Sequence, residues 1–336
     1  MSGVLILTEK DIPALLPVGE CIDVMAEALA ALTRGDVTMP LRTIVWLPQR
    51  NGFLVSMPVA LEPDGMAAFK LLTVFPENRV VGIESHQGAV LLFELEHGRL
   101  LSILDATSIT AIRTAAVSGV ATRLLAREDA GDLAILGSGT QAGTHLEAMR
   151  AVRPIRRVRV WSRSEDNARR FAERASASHG IEVEPCATAE DAVTGADLIC
   201  TTTASREPVL RGEWLAPGAH VNAVGAVGAD ARELDTEAIR RSRLVVDRRE
   251  SAVNEAGEFV LAKAEGAIGD DHIVGELGEL VTGAVPGRTS PEEITVFRGL
   301  GIAVEDLAAA QTIHRRAIER GVGVVVELGG GSDAGT

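Results

Sequence analysis

The hydrophobic pattern of the chain changes character near residue 118. Before that point, runs of strand length, Ile44–Leu47, Gly52–Val55, Ala67–Val74 and Ala89–Leu95, are separated by turn residues, and His97-Gly98 suits a hairpin to Leu100–Leu104. This predicts an antiparallel module. A long amphipathic helix, Ile109 to Arg127, leads out of it. From Ala130 onward, short apolar runs at Leu133–Leu136, Val158–Trp161, Ile181–Pro185, Leu198–Thr202, Val221–Val224 and Leu244–Val246 recur. Helix-compatible stretches, Gln141 to Ala151, Ser164 to Ser178 and Ala189 to Thr194, separate the early ones. Strands alternating with helices predict βαβ units and a parallel sheet. After a Gly299-Leu300-Gly301 hinge, Leu307, Ala310, Ile313 and Ala317 recur at helical spacing over Val304 to Arg320. That stripe reads as core without a catalytic role, on a helix that returns the chain to the first module.

One turn carries chemistry. The run Leu133–Leu136 is followed by Gly137-Ser138-Gly139-Thr140-Gln141-Ala142 and then a helix pattern. Strand, G-x-G-x-x-A and helix together form a dinucleotide-binding turn. Gly137 permits the tight turn, Gly139 lets backbone approach a pyrophosphate, and Ala142 lets helix and strand pack closely. The phosphates then sit at a helix N-terminus, with Thr140 and Gln141 beside them. The second strand ends at Trp161 and continues Ser162-Arg163-Ser164, with no carboxylate to take a ribose 2′-hydroxyl. Two hydroxyls and a guanidinium suit a 2′-phosphate, which favours NADP(H) over NAD(H).

With 336 residues, 46% of them apolar and 24% charged, the chain has globular composition and length for two domains. A net charge of −14 argues against nucleic acid or an anionic membrane as partner. The three cysteines, Cys21, Cys186 and Cys200, and seven histidines show no metal-like spacing. We read no metal site, no disulfide framework and a cytoplasmic location. No secretory signal or membrane span is visible, and Gly329 to Thr336 reads as a disordered tail.

Three cations interrupt apolar segments of the first module: Arg42 after Met39-Pro40-Leu41, Lys70 within Ala67–Leu72, and Arg113 within Thr110–Ala116. Such charges need partners, either a structural carboxylate or an anionic ligand. Beside a nucleotide domain they suggest a pocket for a substrate carboxylate.

The chain is similar to the ornithine cyclodeaminase/μ-crystallin family over roughly residues 5 to 320. The motifs that carry the likeness are Phe69-Lys70, Ser85-His86-Gln87, Arg113-Thr114-Ala115-Ala116, the glycine turn, Asn222-Ala223-Val224-Gly225, Arg232-Glu233-Leu234-Asp235 and Thr295-Val296-Phe297. The resemblance implies an α/β fold: a Rossmann domain over 119–303, and an α+β substrate and dimerisation domain over 1–118 completed by the C-terminal helix within 304–336. It implies that Arg42, Lys70 and Arg113 hold a substrate carboxylate, with Thr114 close to the cofactor phosphates. Thr202, Thr203, Val224 and Gly225, at strand ends of the Rossmann domain, join the cofactor set, and His86 is a weaker substrate candidate.

Two departures separate the chain from the cyclodeaminases it resembles. A glutamate expected two residues before Met57 is Val55, and an aspartate expected two residues after the Asn-Ala-Val-Gly stretch is Val227. Losing both carboxylates removes recognition of a diamine. Ser85-His86-Gln87 and Trp161–Ser164 look most like the μ-crystallin ketimine reductase branch. The expected activity is NAD(P)H-dependent reduction of a cyclic ketimine carboxylate, with Lys70 and Arg113 as catalytic residues, a small imino or amino acid as ligand and a homodimer as assembly. An amino-acid dehydrogenase, a cyclodeaminase and a non-catalytic NADPH-dependent binding protein are the alternatives.

Overall fold

The structure is a computed structural model that describes residues 3–328, apart from the side chains of residues 79–81. The expected tail, Gly329 to Thr336, lies outside the described residues. The described residues form two compact units: residues 3–24, 34–113 and 302–328, and residues 25–33 and 114–301. No described helix is long and apolar enough to cross a membrane.

The first unit is built on a sheet of β1 (Val4–Leu7), β2 (Val37–Thr38), β3 (Thr43–Leu47), β4 (Gly52–Leu61), β5 (Met66–Val74), β6 (His86–Glu94), β7 (Leu100–Asp105) and a last strand, Val324–Val326. The last strand leads the order, followed by β1, β7, β6, β5, β4 and β2, while β3 also pairs with β4. The expected hairpin joins β6 to β7. The module is not purely antiparallel, however, because β1 runs parallel to β7. Period-two alternation explains its two faces. Val55, Met57, Val59, Ala68, Lys70, Val90 and Leu92 are all buried. They share one face by register, since Met57 pairs with Lys70 and Lys70 with Val90. The Ala303–Arg320 helix packs on β4, β5 and β6 and buries Leu307, Ala310, Ile313 and Ala317. The opposite face carries Leu54, Phe69 and Leu71, each at least 40% exposed.

The second unit is an all-parallel sheet of β8 (Asp132–Leu136), β9 (Arg157–Trp161), β10 (Val183–Pro185), β11 (Leu198–Thr201), β12 (His220–Ala223), β13 (Ser242–Val246), β14 (Ile273–Glu276) and β15 (Ile294–Arg298). Its order is β10-β9-β8-β11-β12-β15-β13-β14. Leu133 to Leu136 and Leu198 to Cys200 have no exposed surface, which accounts for strands that are apolar without alternation. The two strands not expected from sequence are β14 and β15, and β15 inserts between β12 and β13. Strand order reverses between β8 and β11, so their carboxyl ends form the crevice where such sheets bind ligands. The second unit is thus a Rossmann fold, and the first is an α+β unit that the C-terminal helix completes.

Candidate functional site

The glycine turn leaves β8 at that crevice. Gly137 has φ +126°, and a Cβ there would meet Thr202 Oγ1 at 2.4 Å, so conformation and close approach both demand glycine. Gly137 N–H donates to the Trp161 carbonyl (2.8 Å). A Cβ on Gly139 would meet nothing within 4 Å, which leaves open space beside the backbone. Gly139 begins the Thr140–Val152 helix without a side-chain cap, and Ala142, in its first turn, is fully buried. These residues fit a bound pyrophosphate, because an uncapped helix start offers N–H groups to an anion.

At the end of β9, the Ser138 and Ser162 hydroxyls are hydrogen-bonded at 3.0 Å, while Arg163 is exposed. Ser164 caps the Glu165–His179 helix through Asn167 N–H, so its oxygen serves that helix. Thr114, Val224 and Gly225 are half-buried. The Thr202 hydroxyl donates to the Leu136 carbonyl (3.2 Å) and the Thr203 hydroxyl to Glu233 (2.7 Å). Both turn to protein partners.

In the first unit, Lys70 and Arg113 meet on one carboxylate. Lys70 Nζ donates to Asp306 Oδ1 at 2.9 Å, and Arg113 Nε donates to the same oxygen at 3.2 Å. Arg113 Nη1 also donates to Glu305 Oε2 at 2.7 Å. All four residues are at least 95% buried: Lys70 2%, Arg113 5%, Glu305 1% and Asp306 1% exposed. Two cations face two anions, so formal charge balances. Burial pushes the Lys70 ammonium down to about 8, although Asp306 pulls it up. Burial opposes the Asp306 charge, but Arg113 and Lys70 outweigh it and hold the carboxyl low. Burial likewise opposes the Arg113 charge, and Asp306 and Glu305 raise its pKa. Asp306 Oδ2 is buried without a hydrogen-bond partner among the described residues.

Arg42 is half-buried between β2 and β3. It lies one residue before β3, whose first residue, Thr43, pairs with Ser56, next to Met57, the partner of Lys70. His86 is exposed at the start of β6 and bonds Ser85 Oγ at 3.0 Å. Val90 lies opposite Lys70, so His86 is roughly 13 Å along the strand from that level. The structure thus joins Lys70 with Arg113, leaves Arg42 just outside β3 and leaves His86 apart.

Glu305 and Asp306 escaped the sequence reading, which gave their helix no part in a site. Acidic residues in a first helical turn are ordinary companions of the macrodipole. The usable signal was the one that singled out Lys70: two charges set among Ile302, Ala303, Val304 and Leu307.

A model of the ornithine cyclodeaminase/mu-crystallin family matches residues 4–321. Ketimine reductase mu-crystallin of Mus musculus is 43% identical over 280 residues, covering 83% of this chain and 85% of its own. The Thermococcus litoralis Delta(1)-pyrroline-2-carboxylate reductase in complex with NADH and L-proline is 40% identical in structural alignment. Its TM-score is 0.94, covering 96% of this chain and 100% of that one. An archaeal alanine dehydrogenase dimer with bound NAD is 33% identical with a TM-score of 0.91, covering 97% and 99%. Matched along nearly its whole length, the chain belongs to the ornithine cyclodeaminase/mu-crystallin family.

Proposed function

We propose that the protein is an NAD(P)H-dependent reductase of cyclic ketimine carboxylates of the pyrroline-2-carboxylate or piperideine-2-carboxylate type. The observation that carries this reading is the buried Lys70–Asp306–Arg113 cluster, in a chain that shares its family with ketimine and pyrroline-2-carboxylate reductases. Arg113, Arg42 and Lys70 bind the substrate carboxylate and fix the ring, which converts an encounter into an oriented reaction. The bound dihydronicotinamide supplies a hydride for the imine carbon. Lys70, with a pKa near 8, holds a proton at Nζ for the imine nitrogen as the C=N pair moves onto it.

Val227, 48% exposed on the loop after β12, offers a substrate amine no carboxylate, which favours a ketimine over a diamine. For the cofactor we propose NADP(H) over NAD(H), supported by Ser162 and exposed Arg163 at a strand end with no acid. The Gly137–Gln141 turn and Thr114 hold the phosphates, and the loops of Thr202, Thr203, Val224 and Gly225 border the rest. For the assembly we propose a homodimer through the exposed sheet face of Leu54, Phe69 and Leu71, because an apolar sheet face of this kind needs covering. Three free cysteines suit the cytoplasm.

The test is a screen of NADPH and NADH oxidation against cyclic ketimine carboxylates and against keto acid plus ammonia pairs. Turnover confined to the cyclic imines supports the proposal. Turnover confined to an open-chain keto acid with ammonia overturns it in favour of an amino-acid dehydrogenase.

A further inference from the structure

The second unit contains a buried carboxylate that neither the cofactor turn nor the cation cluster uses. Glu233 has no exposed surface, and both its oxygens are saturated with donors. Oε2 accepts from Thr201 Oγ1 (2.8 Å), Gly225 N–H (2.8 Å) and Ala226 N–H (3.3 Å). Oε1 accepts from Thr203 N–H (2.5 Å) and Thr203 Oγ1 (2.7 Å). A carboxylate is the side chain of this size that accepts at every position and donates at none. Burial pushes its carboxyl up, and the Thr203 donors work against that.

The partners lie on two loops. Thr201 ends β11 and Thr203 follows it, while Gly225 and Ala226 follow β12. Both loops leave the carboxyl edge of the parallel sheet. Their approach is close: a Cβ on Gly225 would meet Thr203 N at 2.3 Å and Glu233 Oε1 at 2.7 Å. Glu233 is itself braced. Its N–H donates to Glu258 Oε1 (2.8 Å), and Glu258 Oε2 accepts from Arg298 Nε (2.7 Å). Arg298 Nη1 returns to the Ala223 carbonyl (3.1 Å) and Nη2 to the Ala226 carbonyl. Glu258 and Arg298 are both 1% exposed. The loop after β12 is therefore gripped from its N–H side by Glu233 and from its carbonyl side by Arg298.

We propose that Glu233 is a positioning residue for hydride transfer, fixing the Thr203 and Gly225 loops at the carboxyl edge of the sheet, where they would border the nicotinamide half of a bound cofactor. This rests on the proposed reductase function. The Thr203 hydroxyl contributes through Glu233, since it donates there and accepts from Ser205 N–H (3.2 Å).

The experiment compares wild type with Glu233→Gln, Thr203→Val and Thr203→Ser. For each it measures NADPH affinity by nicotinamide fluorescence, thermal stability, kcat per cofactor-binding site with pyrroline-2-carboxylate, and the deuterium isotope effect from 4-deuterated NADPH. In Glu233→Gln the amide NH2 opposes a backbone N–H in either orientation. We expect kcat per binding site to fall about 10- to 100-fold with a raised isotope effect, as for a small misplacement of reacting groups. Thr203→Val should follow in the same direction and Thr203→Ser should restore the wild-type values. Wild-type kcat per binding site and isotope effect in Glu233→Gln would overturn the proposal. If that variant does not fold, equal values for Thr203→Val and wild type overturn it instead. A wild-type protein that binds no cofactor or reduces no imine would refute the reductase reading, which is a separate outcome.

Discussion

Lys70 Nζ and Asp306 Oδ1 lie 2.9 Å apart in the interior of the first unit, although 236 positions separate them in sequence. The pairing explains how an ammonium survives on the apolar inner face of a sheet. It also leaves that ammonium poised, because burial lowers its pKa to about 8 while Asp306 keeps it from falling further.

The first prediction follows from that balance. Protonated Lys70 is the donor, so kcat should fall as pH rises through about 8. Lys70→Met should lose the limb that Lys70 sets, leaving a lower kcat that instead follows protonation of the imine by solution and recovers in part at low pH. The check is kcat against pH with a cyclic ketimine. A Lys70→Met enzyme with the wild-type profile and only a raised KM would reduce Lys70 to a carboxylate binder.

Asp306→Asn should act in the opposite sense on the same lysine. Removing the carboxylate that raises Lys70 lowers its pKa further, so the alkaline limb of kcat should move to lower pH. The variant also leaves buried cations short of an anion, at a cost of about 3 kcal/mol in stability. Denaturant unfolding and a pH profile check the two parts separately.

Much of this site was legible in the sequence, for reasons that differ from residue to residue. Lys70 and Arg113 stood out because a charge within an apolar run needs a partner, and the glycine turn because strand, loop and helix agreed. The partners themselves were not legible. The return of the Ala303–Arg320 helix to the first module was expected, but spacing does not tell that its first turn meets Lys70 on β5, and Glu305 and Asp306 look like ordinary first-turn acids. The fold was read less evenly. β15 is only five residues long, and its place between β12 and β13 is a non-local pairing that no periodicity encodes. The Val18–Arg34 helix escaped, and β1 runs parallel to β7 where a purely antiparallel module was expected.

Arg163 tests the cofactor assignment. Arg163→Ala should weaken NADPH binding by about 10- to 100-fold, the range for one charge-assisted hydrogen bond, and leave NADH nearly unchanged. Fluorescence titration with both cofactors is the measurement. Equal loss for both would place the 2′-phosphate elsewhere.

The exposed sheet face tests the assembly. Pro58 pairs with Phe69 and Ser56 with Leu71, so both large side chains project from the face opposite Lys70. A dimer mass is expected for the wild type by sedimentation at micromolar concentration. Phe69→Asp with Leu71→Asp should shift it to monomer, since two charges would have to be desolvated at the contact. A monomeric wild type would contradict the assignment.

The most direct test of the reductase account is product stoichiometry with pyrroline-2-carboxylate and NADPH. Proline should form in equimolar amount to NADPH oxidised, with no ammonia released. No proline from the imine, together with ammonia released from ornithine and no net change in cofactor, would contradict it and make the protein a cyclodeaminase.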